Sequence, residues 1–185
     1  MQKFLEVAFH NILFLTDVYP KEIFENRKKY GAPVKYSVHP QVNEYIINCL
    51  GMIKELFKSG SLEKVVLAII SETQVELQRF VFEVDEIQQS SDEDPYLIKL
   101  EQSMRSFCLK LASLKSSLKR TPENSTFSIQ LHTIESTAVN LVGNGAMEHF
   151  PLIEKETSDK CVKDSIVPIV AINLNELFVQ VYAEI

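Results

Sequence analysis

Between residues 97 and 118 the apolar side chains Leu97, Leu100, Met104, Phe107, Leu111, Leu114 and Leu118 step three, four, three, four, three, four. That spacing puts them on one face of a helix. Asp94-Pro95 ahead of them is a start signal, a cap followed by a proline at the first helical position. Thr121-Pro122 breaks the pattern. The seam covers only three heptads and its outer face is rich in serine, so the pattern predicts a central buried helix rather than a coiled coil. Upstream, residues 64–70 form an unbroken β-rich run, the mark of a strand covered on both faces. A long one-sided helix next to such a strand restricts the chain to folds that layer helices on a sheet.

The rest of the chain fits that frame. Phe4, Leu5, Ala8, Phe9, Ile12 and Leu15 predict a helix over 2–16. Tyr19-Pro20 disrupts it, and 25–40 reads as a connector with a short extended piece at 34–38. The basic cluster Arg27, Lys28 and Lys29 falls in that connector. Pro40 opens a second helix carrying Val42, Tyr45, Ile46, Cys49, Leu50 and Ile53, which Gly60 ends. A strand is predicted at 75–84, with a phase change between Leu77 and Phe80 that implies a bulge. Residues 126–133 alternate, with Phe127, Ile129 and Leu131 on one face. Residues 134–165 lose regular patterning, as functional loops in compact domains do. A strand pair is expected at 166–171 and 176–183. The order predicts one α+β domain with an antiparallel sheet.

Composition removes several function classes. Apolar residues make up 45% of 185, and the net charge is −6. Proteins that grip nucleic-acid backbone usually carry a basic domain or stripe. The longest apolar run, VVLAII at 65–70, is far too short to span a membrane. The apolar start MQKFLEVAFHNILFL is interrupted by Glu6 and His10 and no small-residue cleavage site follows it, so it does not read as a signal peptide. Cys49, Cys108 and Cys161 form no CxxC pair, which argues against zinc and fits a reducing compartment. Asn124-Ser125-Thr126 reads as a chance sequon.

Candidate chemistry is sparse. Gly143-Asn144-Gly145 lacks the helix start and lysine of a phosphate loop. His10, His39, His132 and His149 share no ligand spacing. His39 before Pro40 reads as a turn or capping residue, His132 as solvated on a strand's polar face, and His10 as a satisfied or half-exposed helix histidine. Asp85, Glu86, Asp92, Glu93 and Asp94 read as solvated or capping carboxylates beside loops and a helix start. No catalytic residues, metal site or cofactor are expected. Arg27, Lys28 and Lys29 have charge for two or three phosphates, a weak and salt-sensitive contact. A solvated connector is the favoured reading and direct nucleic-acid binding the alternative.

The chain nevertheless resembles a known family. FLEVAFHNILFLTDVYPKEIFENRKKYGAPVKYSVHPQVNEYI at 4–46 is similar to the HORMA-domain adaptor of translesion DNA polymerase zeta, the Mad-like accessory subunit. LEKVVLAII at 62–70, RFVFEV at 79–84, FSIQLHT at 127–133, HFP at 149–151, IVPI at 166–169 and VQVYAE at 179–184 continue the match in order. It is strongest in the first half and thinnest at 85–95 and 153–164. The resemblance implies one HORMA domain over 1–185, with three helices on an antiparallel sheet. Its core would be about 1–133, and a mobile C-terminal safety belt would span about 134–185. It also implies more first-helix residues ahead of the FLEVA position.

The resemblance further implies a non-catalytic nuclear adaptor, with presence in the cytoplasm left open. Such an adaptor traps a proline-containing peptide of the polymerase zeta catalytic subunit. It bridges that subunit to the C-terminal domain of a Rev-type deoxycytidyl transferase, serving damage tolerance and repair. A HORMA homo- or heterodimer and an AAA+ remodelling ATPase are further family partners, and nucleic acid is met only indirectly. By position, Tyr45 matches the tyrosine used against the peptide, although it also reads as a half-buried helix tyrosine. Tyr19 would border the same groove. Leu152 stands where better-known members carry a tryptophan, which this chain lacks entirely. Ile166, Gln180 and Tyr182 match the second-polymerase contacts. Gln180 and Tyr182 share one strand face, while Ile166 reads equally well as ordinary sheet surface. Arg105 matches a dimer-surface arginine or is simply solvated. A spindle-checkpoint HORMA protein binding other closure peptides is the nearest alternative.

Overall fold

The computed structural model describes residues 2–86, 98–116, 118–134, 165–173 and 177–185. In chain order these form α1 (Gln2–Leu15), β1 (Phe24–Lys29), β2 (Ala32–Ser37), α2 (Pro40–Lys58), β3 (Leu62–Ile70), β4 (Glu76–Glu86), α3 (Ile98–Ser113), β5 (Thr126–Thr133), β6 (Ile166–Asn173) and β7 (Leu177–Glu184). Three helices thus pack on an antiparallel sheet of order β5-β3-β4-β7-β6, with β1 and β2 a separate hairpin. β5 and β6 are the two borders of the large sheet.

The helical seam becomes core. Met104, Phe107, Leu111 and Leu114 are buried, as are Phe4, Phe9, Ile12 and Leu13 of α1 and Ile46, Cys49 and Ile53 of α2. Phe4 sits edge-on to Phe107 at 4.8 Å and to Phe82 of β4 at 6.2 Å, joining two helices to the sheet. Edge-to-face pairs like these add about 0.5–1.5 kcal/mol each to the burial of the rings. Asp94, Pro95 and Leu97, the expected start of α3, lie outside the described residues.

Strand β3 is buried on both sides, as its sequence requires. Val65, Leu67 and Ile69 join the helix-facing core, while Val66 and Ala68 are buried on the opposite face. The bulge falls where the phase of the sequence changes. Ile69 pairs with Gln78 and Ile70 with Glu76, so Leu77 is the extra residue on β4. β4 runs on through Asp85 and Glu86. Those two carboxylates, expected beside a loop, are therefore in the strand.

Helix α2 ends in a Schellman turn. Gly60 has φ of 64°, its N–H donates to Phe57 O at 3.0 Å, and Ser61 N–H donates to Leu56 O at 3.0 Å. His39 occupies the N-cap position of α2, but its side chain makes no capping bond; Pro40 follows at the first helical position.

The expected connector at 25–40 is mostly a β-hairpin, and the basic cluster is in strand β1. All six residues of β1 pair with β2, from Phe24 with Ser37 to Lys29 with Ala32. The turn is Tyr30-Gly31, with φ of 52° and 67°. Two successive positive φ values are the demand of a type I′ turn, and tyrosine is an unusual carrier for the first of them. One side of β2 rests on α1, where Asn11 Oδ1 accepts Lys35 N–H at 3.0 Å and His10 Nδ1 accepts Ser37 N–H at 3.3 Å. His10 is therefore a fully buried hairpin anchor. His132, expected to be solvated, is half-buried on β5.

Candidate functional site

Strand β5 pairs with β3 on one side, and among the described residues its other side has no strand. Tyr45 reaches this border from α2, and its Oη accepts the backbone N–H of Ile129 at 3.1 Å. That N–H points away from β3, so the free border presents the amides of Phe127, Ile129 and Leu131, with Tyr45 holding the middle one. The Tyr45 ring meets Phe127 edge-on at 5.4 Å, and Tyr19 meets the same ring at 6.0 Å from the segment after α1. The three rings form one aromatic wall beside an open main-chain edge. Tyr45 remains 37% exposed, so part of its face is available. Burial pushes its pKa up to about 12 against the opposing pull of the Ile129 amide, which keeps the hydroxyl neutral.

Tyr19 and Tyr45 are thus brought together, and Tyr45 is both a helix-face residue and an edge residue. Phe127 belongs with them, although its spacing in the sequence marks it only as a strand-face residue. Its alternation partners on a border strand were the available signal. Leu152 lies outside the described residues.

The second cluster is at the other border. Ile166 pairs with Glu184, Pro168 with Tyr182 and Ala171 with Gln180. Gln180, Tyr182 and Ile166 therefore share the sheet face opposite the helices. Ile166 is 63% exposed. Tyr182 Oη donates to Glu83 Oε1 at 2.8 Å, and Gln180 is the cross-strand partner of Glu83. Burial first, then the Glu83 carboxylate, push the Tyr182 hydroxyl up to about 12. Arg105 is exposed on α3, and its stem lies beside the Tyr30-Gly31 turn, where a Cβ added to Gly31 would be 4.0 Å from its Cδ.

Cys49 and Cys108 are buried, and burial pushes both thiols up to about 11, away from the thiolate a nucleophile needs. Among the described residues no group of three or more His, Cys, Asp or Glu is placed to hold a metal ion. Among them, too, no helix is long and apolar enough to cross a membrane.

Comparison with known proteins gives this geometry a family. The HORMA domain model matches residues 1–143. The chain is 35% identical over 184 residues to the human mitotic spindle assembly checkpoint protein MAD2B, covering 98% of this chain and 87% of the relative. It is 28% identical over 181 residues to the DNA polymerase zeta processivity subunit of Arabidopsis thaliana, covering 98% and 82%. Among solved structures, a chain of a mitotic checkpoint complex superposes with a TM-score of 0.78 at 18% identity, covering 98% of this chain and 94% of its own. C. elegans HTP-2 bound to a HIM-3 closure motif superposes with a TM-score of 0.70 at 14% identity, covering 99% and 87%. The chain belongs to the HORMA-domain family, among the homologues of MAD2B and the polymerase zeta subunits.

Proposed function

We propose that this protein is a non-catalytic adaptor of translesion synthesis. It traps an extended, proline-containing segment of the polymerase zeta catalytic subunit along the β5 border, beneath the C-terminal safety belt of about 134–185. The observation that carries this reading is the β5 border itself, on which no strand lies among the described residues, with Tyr45 on the Ile129 amide and Tyr19 and Tyr45 on Phe127. Main-chain pairing gives affinity that tolerates sequence, and flat aromatic walls suit proline rings, whose fixed backbone lowers the ordering cost. Leu152 takes the place of an aromatic anchor in the belt and tunes the ligand motif by ~1–3 kcal/mol.

The adaptor bridges because its two surfaces are at opposite borders of one sheet. Ile166, Gln180 and Tyr182 receive the C-terminal domain of a Rev-type polymerase while β5 holds the peptide. Arg105 serves a HORMA–HORMA contact, and an AAA+ ATPase reopens the belt. The site of action is the nucleus. The names of relatives from plants and animals support the polymerase assignment.

The test is fluorescence anisotropy, with dissociation rates, of proline-containing segments from the same organism's polymerase zeta catalytic subunit. Tight binding, slow release and loss with Tyr45→Ala support the proposal, and Leu152→Trp measures how far the motif has moved. A folded protein that ignores all such segments rejects it. A checkpoint-type reading is favoured specifically by the likeness to a mitotic checkpoint complex chain, and binding of checkpoint closure peptides instead would select it.

A further inference from the structure

The β1–β2 hairpin has two edges, and they are treated differently. The β2 edge is closed by α1, through Asn11 and His10 on the amides of Lys35 and Ser37. The β1 edge has no main-chain partner among the described residues, and five of its six residues are exposed. Exposed strand edges ordinarily invite pairing. This one carries Arg27, Lys28 and Lys29 in succession, within a protein of net charge −6. Side chains alternate across a strand, so Lys28 lies on one face of the hairpin and Arg27 and Lys29 on the other. Lys35, the cross-strand partner of Asn26, shares the face of Lys28. Positive charge therefore flanks the edge on both sides.

Arg27 is held in place as well. Its guanidinium carbon lies 3.8 Å from the centre of the Tyr36 ring, and its Nε donates to Glu25 Oε1 at 2.6 Å. Tyr36 is itself fixed, with His10 stacked at 3.9 Å on its ring and Glu6 accepting its hydroxyl. A flat guanidinium with little freedom left loses little entropy on meeting a carboxylate. Glu25 offsets the charge of Arg27 and the Lys35 ammonium rests 4.5 Å from the centre of the Phe14 ring, which leaves Lys28 and Lys29 as the net attraction.

Lysines along an edge repel neutral or basic strands, because pairing would desolvate them. A strand that brings its own carboxylates meets no such barrier. Nucleic acid fits less well. It makes no use of the unpaired main-chain groups, and a few lysine–phosphate contacts on an acidic protein fade steeply with salt. We propose that the outer edge of β1 takes an extended acidic segment of a partner protein as a third strand. Main-chain bonds would hold its backbone, and Lys28, Lys29 and Arg27 would hold its carboxylates. This site is separate from β5 and does not depend on what β5 binds.

The experiment uses the full chain and a labelled peptide of alternating glutamate and valine, read by anisotropy at physiological salt. The controls are the same peptide with alternate amides N-methylated, its lysine–valine counterpart, and a single-stranded oligodeoxynucleotide of equal charge. Saturable binding of the acidic peptide is expected. N-methylation should weaken it, Lys28→Glu with Lys29→Glu should weaken it by roughly tenfold or more, and Tyr45→Ala should leave it unchanged. Both lysines are exposed, and circular dichroism verifies that the charge-reversed protein is folded. Equal binding of the N-methylated peptide would overturn the proposal, since charge alone would then suffice. Equal or tighter binding of the oligonucleotide, indifference to the lysine reversals, or no binding of the acidic peptide would overturn it too.

Discussion

Arg79 and Glu184 face each other across β4 and β7, with Nη1 and Oε2 3.1 Å apart and side chains only 5% and 8% exposed. Arg79 Nε also lies 3.4 Å from Glu76 Oε2. A buried charge is costly to desolvate, so such a pair adds little net stability over an apolar one but is expensive to split. This pair ties the last strand of the chain to the middle of the sheet.

Splitting it has a definite signature. Arg79→Met should lower unfolding free energy by about 3 kcal/mol, because the Glu184 carboxylate is left buried without the arginine's charge. Arg79→Met with Glu184→Leu should recover much of that loss. Urea denaturation of the single and double variants measures it, and hydrogen exchange should show β7 amides opening faster in Arg79→Met. Strictly additive losses would mean that the two groups are not coupled.

The Tyr45 hydroxyl and ring have separable roles. Tyr45→Phe removes the acceptor of the Ile129 amide and keeps the contact with Phe127. Stability should fall by about 1 kcal/mol, and exchange at Ile129 should accelerate. Peptide capture should survive Tyr45→Phe and be lost in Tyr45→Ala. If both variants lose capture alike, the ring is not what matters.

His10 makes stability depend on pH. Burial first, then the nearby charge of Arg27, lower its pKa from 6.5 to about 4. The unfolded chain therefore binds the proton more readily than the folded one between those values. Stability from this residue is complete above pH 6.5 and is lost as pH falls toward 4, by about 3 kcal/mol in all. His10→Gln, which keeps an acceptor for the Ser37 amide, should flatten that part of the stability profile. An unchanged slope would assign the acid sensitivity elsewhere.

Gly51 is an exposed glycine in the middle of α2, and a Cβ added there meets nothing within 4 Å. Its φ is in the ordinary helical range, since it is absent from the positive-φ glycines Gly31 and Gly60. Gly51→Ala should stabilise the protein by about 0.5–1 kcal/mol. The urea midpoint should rise with an unchanged m-value and unchanged peptide affinity. A fall in stability would indicate that this face of α2 packs against something.

Elements whose spacing is set by burial were legible in the sequence. The seam from Met104 to Leu114, the doubly covered run Val65–Ile69 and the extra residue at Leu77 all leave a mark in the order of apolar side chains. Of the β1–β2 hairpin only the extended piece at 34–38, most of β2, left one. Its turn residue Tyr30 takes a positive φ that asparagine or glycine would have announced, and β1 is too exposed to alternate. The contact between Tyr45 and the Ile129 amide was equally hidden, because it joins a side chain to a backbone group far along the chain. Ring packing on Phe127 was open to inference only in part, through the alternation of β5.

The chain contains six tyrosines and no tryptophan. Two of those tyrosines, Tyr19 and Tyr45, flank Phe127 at the β5 border. Excited at wavelengths above the phenylalanine band, this protein therefore emits through tyrosine, and one third of its tyrosines stand at one place. A tryptophan built into a captured segment would be the sole indole in the complex. It would accept excitation from Tyr19 and Tyr45 over a few ångströms and draw down their emission. The protein is thus its own optical gauge of occupancy at that border, with no label attached.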